Sequence, residues 1–320
     1  MILIHNFKSH LQDSDSSINI GLDKVGIVNL EKKVEIIQEN KRYSFYPKIS
    51  ALINLPAQQR GIHMSRTSET IEEVINEVVL EPTPTIEYVA YRIVKKMLER
   101  HVYSTRAEVK LEGKIIVQVR ESEQRNIQKS YDISSFVEAK KIESGEIDYN
   151  YYIGASALGM TVCPCAKELS QEYAAEVIKN RKDIKVSDND LKKLLNILPF
   201  ASHNQRSLAT IIVQIKDLEH HKIDVLDIID IIEDSMSGKI QSVLKRPDEA
   251  ELVRIAHQNP LFAEDVIREM AGNFMNRNFP NLEDDFKIVF KIESYESIHP
   301  HNVYAELNTS IGELKKKIQK

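Results

Sequence analysis

The two cysteines of this 320-residue chain stand one residue apart, as Cys163 and Cys165, with Pro164 between them. The run before them, 149–162, has an extended and apolar pattern, and the run after them, 167–179, has helical spacing. Proline fixes its own φ angle and biases the preceding residue toward an extended backbone. We therefore expect a strand to end and a helix to begin at this turn, with both thiols on one side of it.

Thiols held this close would form only a very small, strained disulfide ring with each other. They fit a metal site or a nucleophile, and the alternative is two small buried hydrophobic residues, which free cysteines commonly are. Further along the chain, His203 stands directly before the apolar strand pattern 208–215. Thiolate and imidazole suit a borderline-soft divalent ion, and a carboxylate would complete a three-ligand site with an open position for water.

The pair of motifs resembles the signature of a known family. Cys-Pro-Cys at 163–165 followed by His-Asn-Gln-Arg at 203–206 is similar to the signature of the GTP cyclohydrolase type IB family. The long segment between the two motifs resembles the archaeal, MptA-type branch rather than the bacterial members. Further matching stretches extend the resemblance over nearly the whole chain, at 61–66, 103–108, 245–249 and 296–299.

The resemblance implies a fold of the α+β class, with tandem tunnelling-fold (T-fold) units. Each unit would be an antiparallel sheet with helices on one face, and a homo-oligomer, dimer or tetramer, would join the sheets into a barrel with sites between subunits. We expect a loose leader, a first unit, a linker or insertion, and a second unit that carries a helical insertion at 166–200, with boundaries at 1–20, 21–125, 126–148 and 149–320.

The apolar periodicity of the chain predicts its elements. The expected strands are 25–37, 43–55, 103–121 (as a pair broken at 112–114), 149–162, 203–215, 286–294 and 302–307. One expected helix begins at 68. The other expected helices cover 85–100, 167–179, 188–195, 223–236 and about 260–277. We expect the lysine-rich tail at 315–317 to be solvated.

A resemblance to the family also implies the metal ligands, which match as Cys163, His203 and Glu249. Cys165 is then a neighbouring catalytic thiol or an alternative ligand, and Glu249 alone would read as an exposed carboxylate at a helix start. The family favours Fe(II), although the same ligands would hold Zn(II) or Mn(II). A divalent ion lowers the pKa of bound water to about 7 and so supplies the hydroxide that purine C8 requires.

Three further residues carry expected roles in the chemistry. We interpret Glu296 and His299 as the acid/base pair, because a carboxylate can orient an imidazole and raise its basicity. Direct metal ligation and plain surface polarity are the alternatives for this pair. Glu264 stands at an expected helix start, where the helix dipole favours a carboxylate. The resemblance makes Glu264 the anchor of the guanine base, whose N–H groups a carboxylate can accept.

The triphosphate of such a substrate needs fixed cations and backbone donors. Each candidate alone is more often a solvated charge, and the candidates are His63, Ser65, Arg66, Arg106, Arg206, Lys239, Lys245 and Arg246. The sequence contains no Gly-x-x-x-x-Gly-Lys-Ser/Thr loop, which argues against a P-loop NTPase.

Taken together, the resemblance implies a metal-dependent GTP cyclohydrolase. It would open the imidazole ring of GTP at C8, release formate and give 7,8-dihydroneopterin 2′,3′-cyclic phosphate for methanopterin-type pterins. The alternatives are the bacterial product, dihydroneopterin triphosphate, another T-fold enzyme such as a deazapurine reductase, and a non-catalytic nucleotide- or metal-binding T-fold protein.

Composition limits the other classes of function. A net charge of −5 argues against a general nucleic-acid binder, whose domains are usually basic. We expect no membrane span, because no apolar run approaches the length that a helix needs. Two cysteines so close together indicate no disulfide framework, and no signal-peptide pattern is visible, so we expect a cytoplasmic protein.

Overall fold

The computed structural model describes residues 11–38, 41–80, 85–122, 125–216, 218 and 223–318. Half of the expected leader, 1–10, and two residues of the expected hairpin turn, 39–40, lie outside the described residues. A short 3-10 turn, Leu11–Asp13, precedes the first strand.

Strands and helices alternate in blocks along the described chain. The strands are β1 (Leu22–Glu31), β2 (Val34–Gln38), β3 (Lys41–Leu55), β4 (Arg106–Ser122), β5 (Arg125–Lys141), β6 (Ile147–Val162), β7 (Asn204–Ile215), β8 (Gly238–Lys239), β9 (Lys287–Ser294) and β10 (Val303–Ser310). The helices are α1 (Met64–Leu80), α2 (Ile86–Arg100), α3 (Pro164–Asn180), α4 (Asp188–Ile197), α5 (Val225–Asp234), α6 (Arg246–Gln258), α7 (Ala263–Asn276) and α8 (Ile311–Ile318). The expected α+β class is confirmed.

The chain divides into two compact units. Unit 1 comprises Met1–Gln118, Gln128–Gly154 and Gln214–His221, and unit 2 comprises Val119–Ile127, Ala155–Val213 and Lys222–Lys320.

Unit 1 is built on antiparallel strands in the order β1-β3-β4-β5, with β2 also paired to β3. Alternate residues of β3 are buried, among them Phe45, Ile49 and Ile53, so this strand turns one face to the core. Helices α1 and α2 pack on each other, and they also contact β1, β2 and β3. Thr85 caps α2 by accepting a hydrogen bond from the N–H of Tyr88, so the predicted helix begins where its sequence indicates.

Unit 2 carries β6 from Ala155 onward and β7 as far as Val213, followed in the sheet by β9 and β10, and β8 pairs antiparallel with β6. Ile288, Phe290 and Ile292 alternate along β9 and are fully buried. Helix α7 packs on β9 and β10 and also contacts α5, so the apolar face of the sheet is covered. Helices α3 and α4 lie in the segment expected to be a helical insertion, 166–200.

Several elements of the structure differ from the prediction. The first expected strand is divided into β1 and β2, and β4 runs unbroken through 112–114 rather than turning there. Most of the expected linker at 126–148 is strand: it holds most of β5, a turn at Gly145 (φ 87°) and the start of β6. Helix α6 had no predicted counterpart, and α8 includes the lysine-rich tail.

Candidate active site

A direct backbone contact joins the cysteine turn to the histidine motif. Cys163 is the N-cap of α3, with an extended backbone (φ −69°, ψ 117°), and Pro164 is the first residue of the helix. The N–H of Cys163 donates to the carbonyl oxygen of His203 at 3.1 Å, and the hydroxyl of Ser202 donates to the carbonyl oxygen of Cys163 at 2.6 Å. Cys163 is half-buried, Cys165 is exposed, and neither is in a disulfide. The predicted strand-to-helix junction is confirmed.

The imidazole of His203 faces a carboxylate and an amide. Its Nδ1 lies 3.2 Å from Oε1 of Gln205 and 3.9 Å from Oε2 of Glu296. Gln205 Nε2 in turn donates to Oε1 of Glu296 at 3.0 Å. The side chains of His203 and Glu296 are 16% and 7% exposed, so water screens their interaction poorly. Glu296 is therefore close to the imidazole of His203, with the Gln205 amide in hydrogen-bond contact with both groups.

His299 lies apart from this contact. Its side chain is exposed, and its ring stacks on that of His301, with centroids 5.2 Å apart and ring planes 13° apart. Among the described residues no hydrogen bond or ion pair joins Glu296 to His299. Their expected partnership in proton transfer stays a prediction.

The fit of a metal ion depends on which donors the fold brings together. Cys163 and His203 are adjacent through their backbones, and the contacts of His203 occupy Nδ1, which leaves Nε2 for a ligand. Glu249 is exposed in the first turn of α6, where its N–H donates to the carbonyl of Lys245 at 2.9 Å. In the described part of one chain, no three His, Cys, Asp or Glu side chains are close enough together to hold an ion. The backbones of two of the three predicted donors, Cys163 and His203, are therefore adjacent, and the assignment of all three as metal ligands stays a prediction.

The expected base anchor lies near the cysteine turn. The N–H of Leu261 donates to the carbonyl of Val162 at 3.0 Å, which places the segment before α7 against the end of β6. Glu264 follows in the first turn of α7, and its side chain is exposed. Its role in binding a base stays a prediction.

Four of the expected phosphate-binding residues belong to unit 2. Arg206 is exposed on the first part of β7, and its carbonyl accepts a hydrogen bond from the N–H of Tyr295 at 2.9 Å. Lys245 and Arg246 are exposed at the start of α6. Their cationic groups thus face solvent, where an anionic ligand can reach them. Lys239, on β8, forms an ion pair with Asp234 at 2.5 Å.

In unit 1, another group of expected phosphate-binding residues gathers at the start of α1. His63 is buried and its Nε2 lies 2.7 Å from Oδ1 of Asp13, while Ser65 is exposed. Arg66 donates from Nη1 to the carbonyl of Arg100 at 3.3 Å. The fold thus brings these three residues together, but it also engages two of them in internal contacts.

Arg106 lies elsewhere in unit 1. Its backbone N–H donates to Oδ1 of Asn54 at 2.7 Å, and it lines a cavity of about 570 Å³ together with the Lys24–Glu108 ion pair. This cavity mixes cations and carboxylates, so its lining carries no strong preference for an anion.

Sequence reasoning missed two polar groups. His101 is fully buried between Thr67 (3.0 Å) and Tyr103 (2.8 Å), and burial lowers its pKa to about 4, with the nearby Arg66 acting in the same direction. In unit 2, Ser294 contacts Glu296, and nothing in the sequence marks this serine as special. Gln205 could have been singled out, since it belongs to the histidine motif.

The architecture is that of a known class of proteins. It is similar to urate oxidase from Bacillus sp. TB-90 (TM-score 0.53, 9% identity, 90% of this chain and 99% of that chain). It is also similar to uricase from Arthrobacter globiformis (TM-score 0.52, 8% identity, 92% of this chain and 96% of that chain). At such low identity the likeness concerns the fold alone. The protein is therefore a T-fold protein, as the motifs had implied.

The family follows from sequence similarity. A family model described as type I GTP cyclohydrolase folE2 matches residues 9–305, and the chain belongs to that family of enzymes. GTP cyclohydrolase MptA of Methanosphaera stadtmanae is 37% identical over 306 residues, which cover 95% of this chain and 96% of the relative. GTP cyclohydrolase MptA of Methanocaldococcus jannaschii is 36% identical over 316 residues, 98% of each chain. The resemblance drawn from the motifs is confirmed.

Among the described residues, none of the helices combines the length and the apolarity that crossing a membrane requires.

Proposed function

We propose that this GTP cyclohydrolase opens the imidazole ring of GTP by hydrolysis at C8 and releases formate. The observation that carries the proposal is the backbone hydrogen bond between Cys163 and His203, which holds a thiol and an imidazole at one junction. A divalent ion bound there would supply hydroxide at neutral pH. Membership of the GTP cyclohydrolase family supports GTP as the substrate.

Cys163 and His203 are the proposed core of the metal site, with Glu249 as the third ligand. The donor set suits Fe(II), our preferred ion, and also Zn(II) or Mn(II). Because Glu249 does not lie beside the other two donors within one chain, we propose that the set is completed when metal binds or subunits assemble. This favours a homo-oligomer, dimer or tetramer, with sites between subunits.

Other side chains of this protein would then transfer protons and bind the base and the phosphates of GTP. Glu296 keeps His203 oriented and offers a carboxylate for proton transfer at a site shielded from water. His299, being exposed, is the proposed group that delivers a proton to the departing ring nitrogen, with Cys165 as the neighbouring thiol. Glu264 would accept hydrogen bonds from the guanine base. The exposed cations Arg206, Lys245 and Arg246 of unit 2 would bind phosphate, and in unit 1 we propose the same role for His63, Ser65, Arg66 and Arg106.

For the product we propose 7,8-dihydroneopterin 2′,3′-cyclic phosphate, an intermediate for methanopterin-type pterins. Similarity to the MptA relatives supports this choice, and so does the helical segment α3–α4 between the two motifs. We place the enzyme in the cytoplasm, because its two cysteines are free thiols and a reducing compartment keeps them so.

The test is incubation of anaerobically purified protein with Fe(II) and GTP, followed by measurement of formate and mass spectrometry of the pterin. Formate together with the cyclic phosphate supports the whole proposal. Formate with dihydroneopterin triphosphate keeps the hydrolysis and overturns the product. Nucleotide binding without formate overturns the hydrolysis and favours a non-catalytic T-fold protein.

A further inference from the structure

Three buried hydroxyl groups form a line across neighbouring strands of unit 2. Thr161 on β6, Ser207 on β7 and Ser294 on β9 are 2%, 0% and 2% exposed. The hydroxyls of Thr161 and Ser207 lie 2.8 Å apart, and Ser207 donates to Ser294 at 3.1 Å. Ser207 and Ser294 are also register partners in the β7–β9 ladder. Buried hydroxyls are costly unless they are hydrogen-bonded, so these residues support one another.

The line of hydroxyls ends on the carboxylate beside the histidine. Ser294 donates to Oε1 of Glu296 at 3.2 Å, and Nε2 of Gln205 donates to the same oxygen at 3.0 Å. Gln205 Nε2 also lies 3.1 Å from the hydroxyl oxygen of Ser294. The amide nitrogen of Gln205 therefore has two acceptors, which fixes which end of this amide is nitrogen and which is oxygen.

Fixing the amide also fixes the proton on His203. The opposite end of the Gln205 amide is an oxygen, which can only accept a hydrogen bond, and it faces Nδ1 of His203 at 3.2 Å. Nδ1 must then be the donor. Glu296 Oε2, 3.9 Å from the same nitrogen, favours the proton there as well. The neutral imidazole consequently keeps its lone pair on Nε2.

We propose that Gln205 and Ser294 are positioning residues that hold His203 in the Nδ1–H tautomer, so that Nε2 is always ready to bind a divalent metal ion. Which nitrogen of a histidine can bind a metal is set by the hydrogen bond that the other nitrogen makes. The assignment of the tautomer depends only on the hydrogen bonds of Gln205, Ser294 and Glu296. The binding of a metal ion at Nε2 rests on the proposed function. The hydroxyls of Ser207 and Thr161 contribute indirectly, because they hold Ser294 in place.

The direct test is nitrogen NMR of the histidine rings in metal-free protein labelled with ¹⁵N-histidine, at mildly alkaline pH. His203→Gln identifies the signals of His203. In the wild-type protein we expect a protonated Nδ1 and an unprotonated Nε2, and in Gln205→Leu and Ser294→Ala a shift toward a mixture of tautomers. A predominant Nε2–H form in the wild type, or an unchanged tautomer in both folded variants, would overturn the proposal.

The matched control is Ser156→Ala. Ser156 and Thr210 form a hydroxyl pair at 2.7 Å on the same two strands, β6 and β7, but outside the network. This control should leave the His203 signals in place. Circular dichroism checks folding, and Ser294→Ala removes one oxygen atom only, so it carries the test if Gln205→Leu does not fold.

A second measurement is titration with Co(II), whose absorption spectrum reports a thiolate ligand. We expect Gln205→Leu and Ser294→Ala to bind Co(II) about 10- to 100-fold more weakly than wild type, and Ser156→Ala to bind normally. Equal affinities in all four proteins contradict the positioning role. A wild-type protein with the expected tautomer but no formate release would defeat the proposed function and leave this inference standing. Formate release from a protein whose His203 carries its proton on Nε2 would overturn this inference and leave the proposed function standing.

Discussion

The backbone N–H of Cys163 and the carbonyl oxygen of His203 are 3.1 Å apart and form a hydrogen bond. The thiol and the imidazole are therefore held near each other by main-chain pairing between the end of β6 and the start of β7. Cys163 also makes no side-chain capping bond to α3. Side-chain substitutions at this junction should consequently change its chemistry without unfolding it.

Replacement of Cys163 by alanine is the first prediction. We expect Cys163→Ala to lose metal binding and formate release while its circular dichroism stays that of the wild type, because the main-chain bond remains. Cys165→Ala is the comparison, and we expect it to keep the bound metal, because Cys165 is the proposed neighbouring thiol and not the ligand. Bound metal measured on both variants decides the assignment. If Cys165→Ala is the variant that loses the metal, the ligand has been assigned to the wrong thiol.

A second prediction concerns the carboxylate beside His203. Glu296→Gln keeps the shape of the side chain but removes its charge, so we expect formate release to fall by about 10²- to 10⁴-fold, the usual range for a proton-transfer group. The measurement is the initial rate of formate release at saturating GTP. A rate within a few-fold of wild type would show that Glu296 does not take part.

His299 and His301 offer a paired comparison. Their rings stack at 5.2 Å and both side chains are exposed, so they share an environment. We predict that His299→Ala slows formate release far more than His301→Ala, because His299 is the group that we propose for proton transfer. The same rate assay compares the two variants, and equal rates would remove His299 from the mechanism.

The fourth prediction concerns stability against pH. Burial lowers the pKa of His101 to about 4 in the folded protein, whereas an unfolded histidine titrates near 6.5. Between these values the unfolded chain binds a proton that the folded chain refuses, so stability falls as pH falls from about 6.5 to about 4, by roughly 3 kcal/mol at most. His101→Gln removes the titrating group, and urea unfolding across this range should show a weaker pH dependence. An undiminished slope in His101→Gln would show that other groups cause it.

A glycine pair tests the packing of strands β3 and β4. A Cβ on Gly113 would collide with the backbone carbonyl of Tyr46, so Gly113→Ala should destabilise the protein by about 1–3 kcal/mol. Gly272 in α7 has nothing within 4 Å of such a Cβ, and Gly272→Ala should stabilise by about 0.5–1 kcal/mol. Urea midpoints give both values. Similar values for the two variants would contradict the close approach of β4 to β3.

Gly113 also explains one failure of the sequence-based reading. A glycine between Glu112 and Lys114 is typical of a turn, yet Gly113 lies inside strand β4. The residue is glycine there because the neighbouring backbone leaves no room for a side chain. The strand β5 was missed for a different reason. Its buried positions alternate, as at Tyr131, Ile133 and Val137, but Ser135 occupies a buried position and Phe136 the opposite face, which breaks the apolar pattern.

Local sequence likewise predicts one feature of the site and misses another. The junction at Cys163 follows from one proline and its flanking periodicity, and the structure confirms it. The link from Ser294 through Gln205 to His203 depends on how β7 and β9 are aligned in register. Such alignment is set by the packing of the whole sheet, so no local motif could have predicted it.

The central claim is that Cys163 and His203 bind the same divalent ion, and X-ray absorption on Zn(II)-loaded protein tests it most directly. We predict a coordination shell with one sulfur at about 2.3 Å and nitrogen or oxygen ligands at about 2.0–2.2 Å. The sulfur should disappear in Cys163→Ala, and an imidazole contribution should disappear in His203→Gln. A wild-type shell of oxygen and nitrogen alone, or one unchanged in both variants, would contradict the claim.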